Sequence, residues 1–119
     1  MQSAELQQRT KQFGIDVIRL IRELPRDPVA DVMSKQLLRA GTSVGANYRA
    51  ACRAKSRADF ISKMGIVEEE ADETRYWIEL LLEIKIVSQQ RVQHLIQECD
   101  AIIAMTVSSI TTARRNRNK

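Results

Sequence analysis

Between Val29 and Lys55 the stretch VADVMSKQLLRAGTSVGANYRAACRAK places Met33, Leu37, Ala40, Val44, Asn47, Ala51 and Ala54 at alternating steps of four and three. Residues at that spacing stack on one side of an α-helix, so the stretch predicts a helix whose seam packs inside a bundle. The opposite side carries Lys35, Arg39, Thr42, Ala46, Arg49 and Arg53, which makes one face apolar and the other basic. Asn47 is the exception in the seam. An amide there costs about 1 to 3 kcal/mol for each group left unpaired, so it calls for partners, and Ser43 and Asn47 are candidates for a buried polar contact between helices. Gly41 and Gly45 lie beside the seam. Glycine weakens a helix, and two of them predict that another backbone approaches closely there.

The rest of the chain repeats the pattern. Ser3 to Leu24 reads as a first helix with Leu6, Phe13, Val17, Leu20 and Leu24 on one stripe. Pro25 ends it, and Asp27 followed by Pro28 is a cap and first position for the next helix. Ser56-Arg57-Ala58-Asp59 resembles a capping box opening a third helix, whose seam is Phe60, Met64, Val67, Ala71, Thr74, Ile78 and Leu81. Its far side holds Glu69, Asp72, Glu73, Tyr76, Glu79 and Glu83. Ser88 caps a fourth helix with a broad stripe of Val92, Leu95, Ile96, Cys99, Ile102, Ile103, Thr106 and Ile110. Four helices with short links predict an all-α fold, an antiparallel up-down-up-down four-helix bundle over residues 1–112. The remaining segment, 113–119, is too polar to pack and is expected to be a disordered basic tail.

Location of charge matters more here than its sum. The formal net charge is +4, but Arg114, Arg115, Arg117 and Lys119 are four of the nineteen basic residues, which leaves fifteen basic against fifteen acidic groups in residues 1–113. Within that neutral body, residues 25–55 hold six basic and two acidic groups and residues 56–86 hold four basic and eight acidic ones. With both seams turned inward, the basic face of helix two and the acidic face of helix three point outward and do not neutralise each other inside one subunit. They are therefore expected to meet another subunit or a ligand, with Arg49 and Arg53 set against Glu69, Asp72, Glu73 and Tyr76 as the candidate oligomer interface. A merely solvated charged surface is the alternative.

Catalytic chemistry has few footholds. His94 is the one histidine and is preceded three residues earlier by Arg91, so the Glu-x-x-His pair of di-iron bundles fails. No GxGxxG, Walker-type loop, GxSxG or HExxH is present. The run from Glu68 to Glu73 has oxygen ligands for a hard cation, yet consecutive helical residues diverge around the axis, and no metal or cofactor is expected. Cys52 and Cys99 lack CxxC spacing and read as small buried hydrophobes. No run of about 18 apolar residues occurs, and the opening segment lacks the apolar core of a secretory signal, so a cytoplasmic protein without a membrane partner is expected. Arg49, Arg53, Arg114, Arg115, Arg117 and Lys119 are the candidates for RNA or DNA phosphates. Aromatic residues for base stacking are scarce.

The segment Ala40-Gly41-Thr42-Ser43-Val44-Gly45-Ala46-Asn47 resembles the Ala-x-x-Ser-(Ile/Val)-x-x-Asn pattern on helix two of the 23S rRNA-intervening-sequence proteins, small bacterial four-helix bundles; Phe60 and the Glu73 region resemble their helix-three pattern. Tyr48 to Ala51 and Glu69-Glu70 depart from it, standing where many members have a small acidic-glycine step and Gly-Ser. The resemblance implies a ring-like homo-oligomer, a pentamer. It extends to the accessory variability proteins of diversity-generating retroelements, basic pentameric barrels that bind nucleic acid and a reverse transcriptase. No catalytic residue comes with it. Two functions follow as expectations: a non-enzymatic accessory scaffold that binds RNA or DNA, or a structural, protein-binding adaptor with no nucleic-acid partner.

Overall fold

Asp27 starts the second helix as its sequence suggests: the backbone there is extended and its carboxylate accepts from the Val29 and Ala30 amides, with Pro28 at the first position. Ser56 and Ser88 do the same for the third and fourth helices by accepting from Asp59 N and Arg91 N. Each cap satisfies amides that the first turn leaves without partners. The computed structural model describes residues 3–116. They form four helices, α1 (Ser3–Glu23), α2 (Pro28–Ala51), α3 (Arg57–Glu83) and α4 (Gln89–Arg115), and no strand. The molecule is a four-helix bundle of 53 × 22 × 20 Å.

α3 ends without a glycine. Lys85 takes a left-handed φ of 64°, and the Ile86 amide reaches back to Leu81 O at 3.0 Å while Lys85 N bonds Leu82 O at 3.1 Å. This is the Schellman closure, in which a residue other than glycine bears the steric cost.

The seams of α3 and α4 enter the core at the expected positions: Met64, Val67, Ala71, Thr74, Ile78 and Leu81 from one, Val92, Leu95, Cys99, Ile102, Thr106 and Ile110 from the other. α1 contributes Leu6, Thr10, Phe13, Val17 and Leu20. Fully burying a Leu, Ile, Phe or Met side chain is worth roughly 1.5–3 kcal/mol, so these rows hold the bundle together. The buried threonine hydroxyls donate within their own helices, Thr10 to Leu6 O, Thr74 to Glu70 O and Thr106 to Ile103 O. Among the described residues no buried side-chain polar atom lacks a partner.

α1 and α2 come together on glycines. A Cβ placed on Gly45 would lie 3.1 Å from the Thr10 carbonyl oxygen, and one on Gly41 would lie 2.8 Å from both methyls of Val17. A Cβ placed on Gly14 would lie 3.7 Å from both Gly41 O and Thr42 Cα. The fourth side of the bundle is closed differently. Arg9 grips Glu98 through Nη2 and Nε at 2.6 and 3.0 Å, and Arg91 grips Glu23 with two bonds of 2.7 Å. Bidentate guanidinium–carboxylate pairs of this kind are directional as well as attractive.

Two outcomes follow from this packing. Gly41→Ala should destabilise the fold by about 1–3 kcal/mol through overpacking against Val17, despite a gain of about 1 kcal/mol in helix propensity. Val17→Ala in the same chain should recover part of that loss, as urea denaturation would show. The hydrogen bond from Arg9 holds the Glu98 carboxyl below its ordinary value of 4.5. The pair therefore stabilises the fold above that value, and the contribution is lost as pH falls through the lower folded value. Glu98→Gln should cost up to about 1 kcal/mol near neutrality, and the difference from the parent should vanish in acid.

Candidate functional site

α2 organises the charged surface, but not as its sequence suggests. Its buried positions are Ala30, Leu37, Ala40, Gly41, Val44, Tyr48 and Ala51. Tyr48, 6% exposed, takes the place expected for Asn47. Asn47 is half-buried and its Nδ2 donates to Ser43 O at 2.8 Å. Ser43 Oγ in turn donates to Arg39 O at 2.6 Å. Both polar groups thus bond back into α2, one turn earlier, and the expected buried polar contact between helices does not form. The amide reaches its own helix's carbonyl without a partner helix.

The helix also stops at Ala51, four residues short of Lys55. Cys52 is its C-cap and is exposed, not a buried hydrophobe, with its sulfur 3.1 Å from Ser3 Oγ. Cys99 is buried, and burial pushes its thiol up to about 12. Burial also raises the Tyr48 phenol.

The two charged faces are not wholly apart. Arg39 of α2 donates to Glu70 Oε2 at 2.9 Å and also pairs with Glu73, which further accepts from Trp77 Nε1 at 3.4 Å. The expectation that helix-two cations and helix-three carboxylates stay unpaired inside one subunit is therefore wrong at this shoulder. A long guanidinium arm spans the edge of the seam, a reach that stripe positions do not convey. Arg75 of α3 likewise pairs with Glu79 and with Asp100 of α4. Glu69, Asp72 and Tyr76 remain on the exposed side of α3, and Tyr76 packs edge-on against Trp77 with ring centres 5.3 Å apart.

Arg49 and Arg53 are exposed and, among the described residues, enter no ion pair. The same is true of Lys11, Lys55 and Arg57, which the sequence does not single out because they belong to three different segments. Arg114 and Arg115 are exposed in the last turn of α4, so residues 113–115 are helical where a disordered tail was expected. Arg117 and Lys119 lie outside the described residues. Contacts place Arg49, Arg53, Lys55, Arg57, Arg114 and Arg115 toward one end of the rod, whereas Arg22, Arg26 and Lys35, also without ion pairs among the described residues, line a hollow toward the other. Ser3 meets Cys52, and Arg9 of α1 reaches Met105 in the second half of α4, while the other end of α1 is tied by Glu23 to Arg91.

Beside this end, along the outer junction of α1 and α2, runs a groove of about 580 Å³ whose lining includes Lys11, Ile15, Ile18, Ala46 and Arg49. Among the described residues no three or more His, Cys, Asp or Glu side chains gather as a metal ion would need. His94 is exposed. Among the described residues no helix is long and apolar enough to cross a membrane.

The fold and surface define a small four-helix bundle with sorted outward charge. The pattern of the 23S rRNA-intervening sequence protein family matches residues 2–108, and the chain belongs to that family. A crystal structure of a protein of unknown function from the S23 ribosomal protein family of Bacteroides thetaiotaomicron VPI-5482 is similar, at 38% identity and a TM-score of 0.82. The match covers 87% of this chain and 96% of that one. No curated protein matches the chain.

The two thiols supply a direct check on the end of α2. A thiol reagent should modify Cys52 rapidly in the native protein and Cys99 only after denaturation, because the buried thiol is both covered and held protonated. Cys52→Ser should abolish the fast phase.

Proposed function

We propose that this protein is a non-enzymatic, cytoplasmic accessory scaffold that self-assembles into a ring-like homo-oligomer, a pentamer, and binds the phosphate backbone of RNA or DNA through its basic end. In this reading the helices run up-down-up-down. The links of four to five residues between helices and the ties Ser3–Cys52 and Glu23–Arg91 support that topology.

One observation carries the nucleic-acid reading. The arginines at the helix junctions, Arg9, Arg39, Arg75 and Arg91, are all engaged by carboxylates, whereas Arg49, Arg53, Arg114 and Arg115, joined by Lys55 and Arg57, enter no ion pair among the described residues. Arg22, Arg26, Lys35 and Lys85 also enter no ion pair among the described residues, but they lie toward the other end of the rod in company with Glu23, Asp27, Asp31 and Glu83. The denser excess of cations at the α2–α3 link and the end of α4 suits a polyanion. Arg117 and Lys119 extend the same charge in sequence. The lack of an exposed aromatic row among these cations favours backbone contact over base reading. Assembly rests on the acidic residues of α3 that stay outward, Glu69 and Asp72, with Tyr76 between charged neighbours. An adaptor that binds a partner protein and no nucleic acid is the competing function.

A gel-shift series across salt separates the two. The full chain should bind RNA or DNA at low salt, and each phosphate contact should add about 0.9 to the slope of log K against log salt on B-DNA. A chain ending at Ala113, and separately Arg53→Ala with Arg57→Ala, should bind more weakly with a shallower slope. Absence of binding at low salt would favour the adaptor.

A further inference from the structure

We propose that the groove between α1 and α2 receives the outer side of α3 from a second copy of this chain. The idea rests on the self-assembly put forward above and names the two surfaces that meet.

The groove is built as a seat for a helix. On α1, Ala4, Gln8, Lys11, Ile15 and Ile18 recur at steps of four and three, a second stripe beside the one that enters the core. Thr42, Ala46 and Arg49 face it from α2, and Gly14 and Gly45 keep the floor low. Ile15 and Ile18 are only half-buried, and the lining holds the cations Lys11 and Arg49 and no carboxylate.

The outer side of α3 is its complement. Ser62, Gly65, Glu69, Asp72 and Tyr76 recur at steps of three and four. Glu69 and Asp72 are exposed and enter no ion pair among the described residues, and Tyr76 is 52% exposed. Gly65 stands within this row, and a Cβ added there would meet nothing within 4 Å. A glycine inside a helix weakens it, and no neighbour in the chain gives a reason for one here, whereas a helix approaching from outside does.

Ala4 to Ile18 and Ser62 to Tyr76 each span about 21 Å at the helical rise. One surface is positive and the other negative, which fixes register and steers encounter. Because the two patches differ, the contact is head to tail, the kind that closes rings. Arg53, Lys55, Arg57, Arg114 and Arg115 lie outside the groove lining and stay available to phosphate.

Sedimentation velocity tests the contact. Lys11→Glu with Arg49→Glu, or Glu69→Lys with Asp72→Lys, should reduce an oligomer to the 13.6 kDa chain, and all four reversals together should restore it. Gly65→Gln, which has free space in the single chain, should weaken association while circular dichroism keeps its helical signal. An oligomeric parent whose mass neither pair of reversals changes would overturn this contact and leave self-assembly standing. A parent monomeric at every concentration and salt would overturn both.

Discussion

The close approach of α1 and α2 through Gly14, Gly41 and Gly45 governs the outer surface of this protein. With side chains at those positions the helices would stand further apart. Instead their backbones nearly touch, and residues that flank the glycines are forced into a shared outward groove. The apolar seam of α2 points into the core, and of its basic row Arg49 lines the groove and Arg53 stands near the end of the rod, while Arg39 turns to the carboxylates of α3. A packing requirement thus sets where charge can appear.

A second constraint sorts that charge. Four junction arginines reach carboxylates on neighbouring helices or in their own, and those pairs neutralise the edges where helices meet. Of the cations that remain, Arg49, Arg53, Lys55, Arg57, Arg114 and Arg115 stand where α2 hands over to α3 and where α4 finishes, and a smaller group, Arg22, Arg26 and Lys35, lies at the α1–α2 link. The overall +4 of the chain therefore understates how uneven the surface is, because neutral regions are neutral by pairing and not by absence of charge.

Much of this was legible in the residues. The seams of α3 and α4 were, because long runs of Val, Ile, Leu and Met at unbroken spacing leave one choice of face. The caps Asp27, Ser56 and Ser88 were legible too, since each precedes a helix that needs its oxygen. The inner face of α2 was harder: Asn47 and Tyr48 are adjacent, both plausible at the margin, and only the three-dimensional neighbours put the phenol inside and the amide back on its own helix. The Arg39 pair and the grouping of Lys11 with Arg49 depend on side-chain reach and helix crossing, which periodicity does not encode. The end of α2 was misjudged because Ala54 continues the apolar spacing past the point where the chain turns toward Ser56.

The unequal sides of the bundle carry one more consequence. α1 and α4 are the least closely packed of the neighbouring helices, and their junction leans on two guanidinium clasps in place of interlocked backbones. Parting them breaks less close packing than parting α2 from α3, so an opening along this edge is the excursion expected to cost least. Amide protons at the outer turns of α1 and α4 should exchange through that excursion, while the α2–α3 pair should keep its protection until the whole molecule melts.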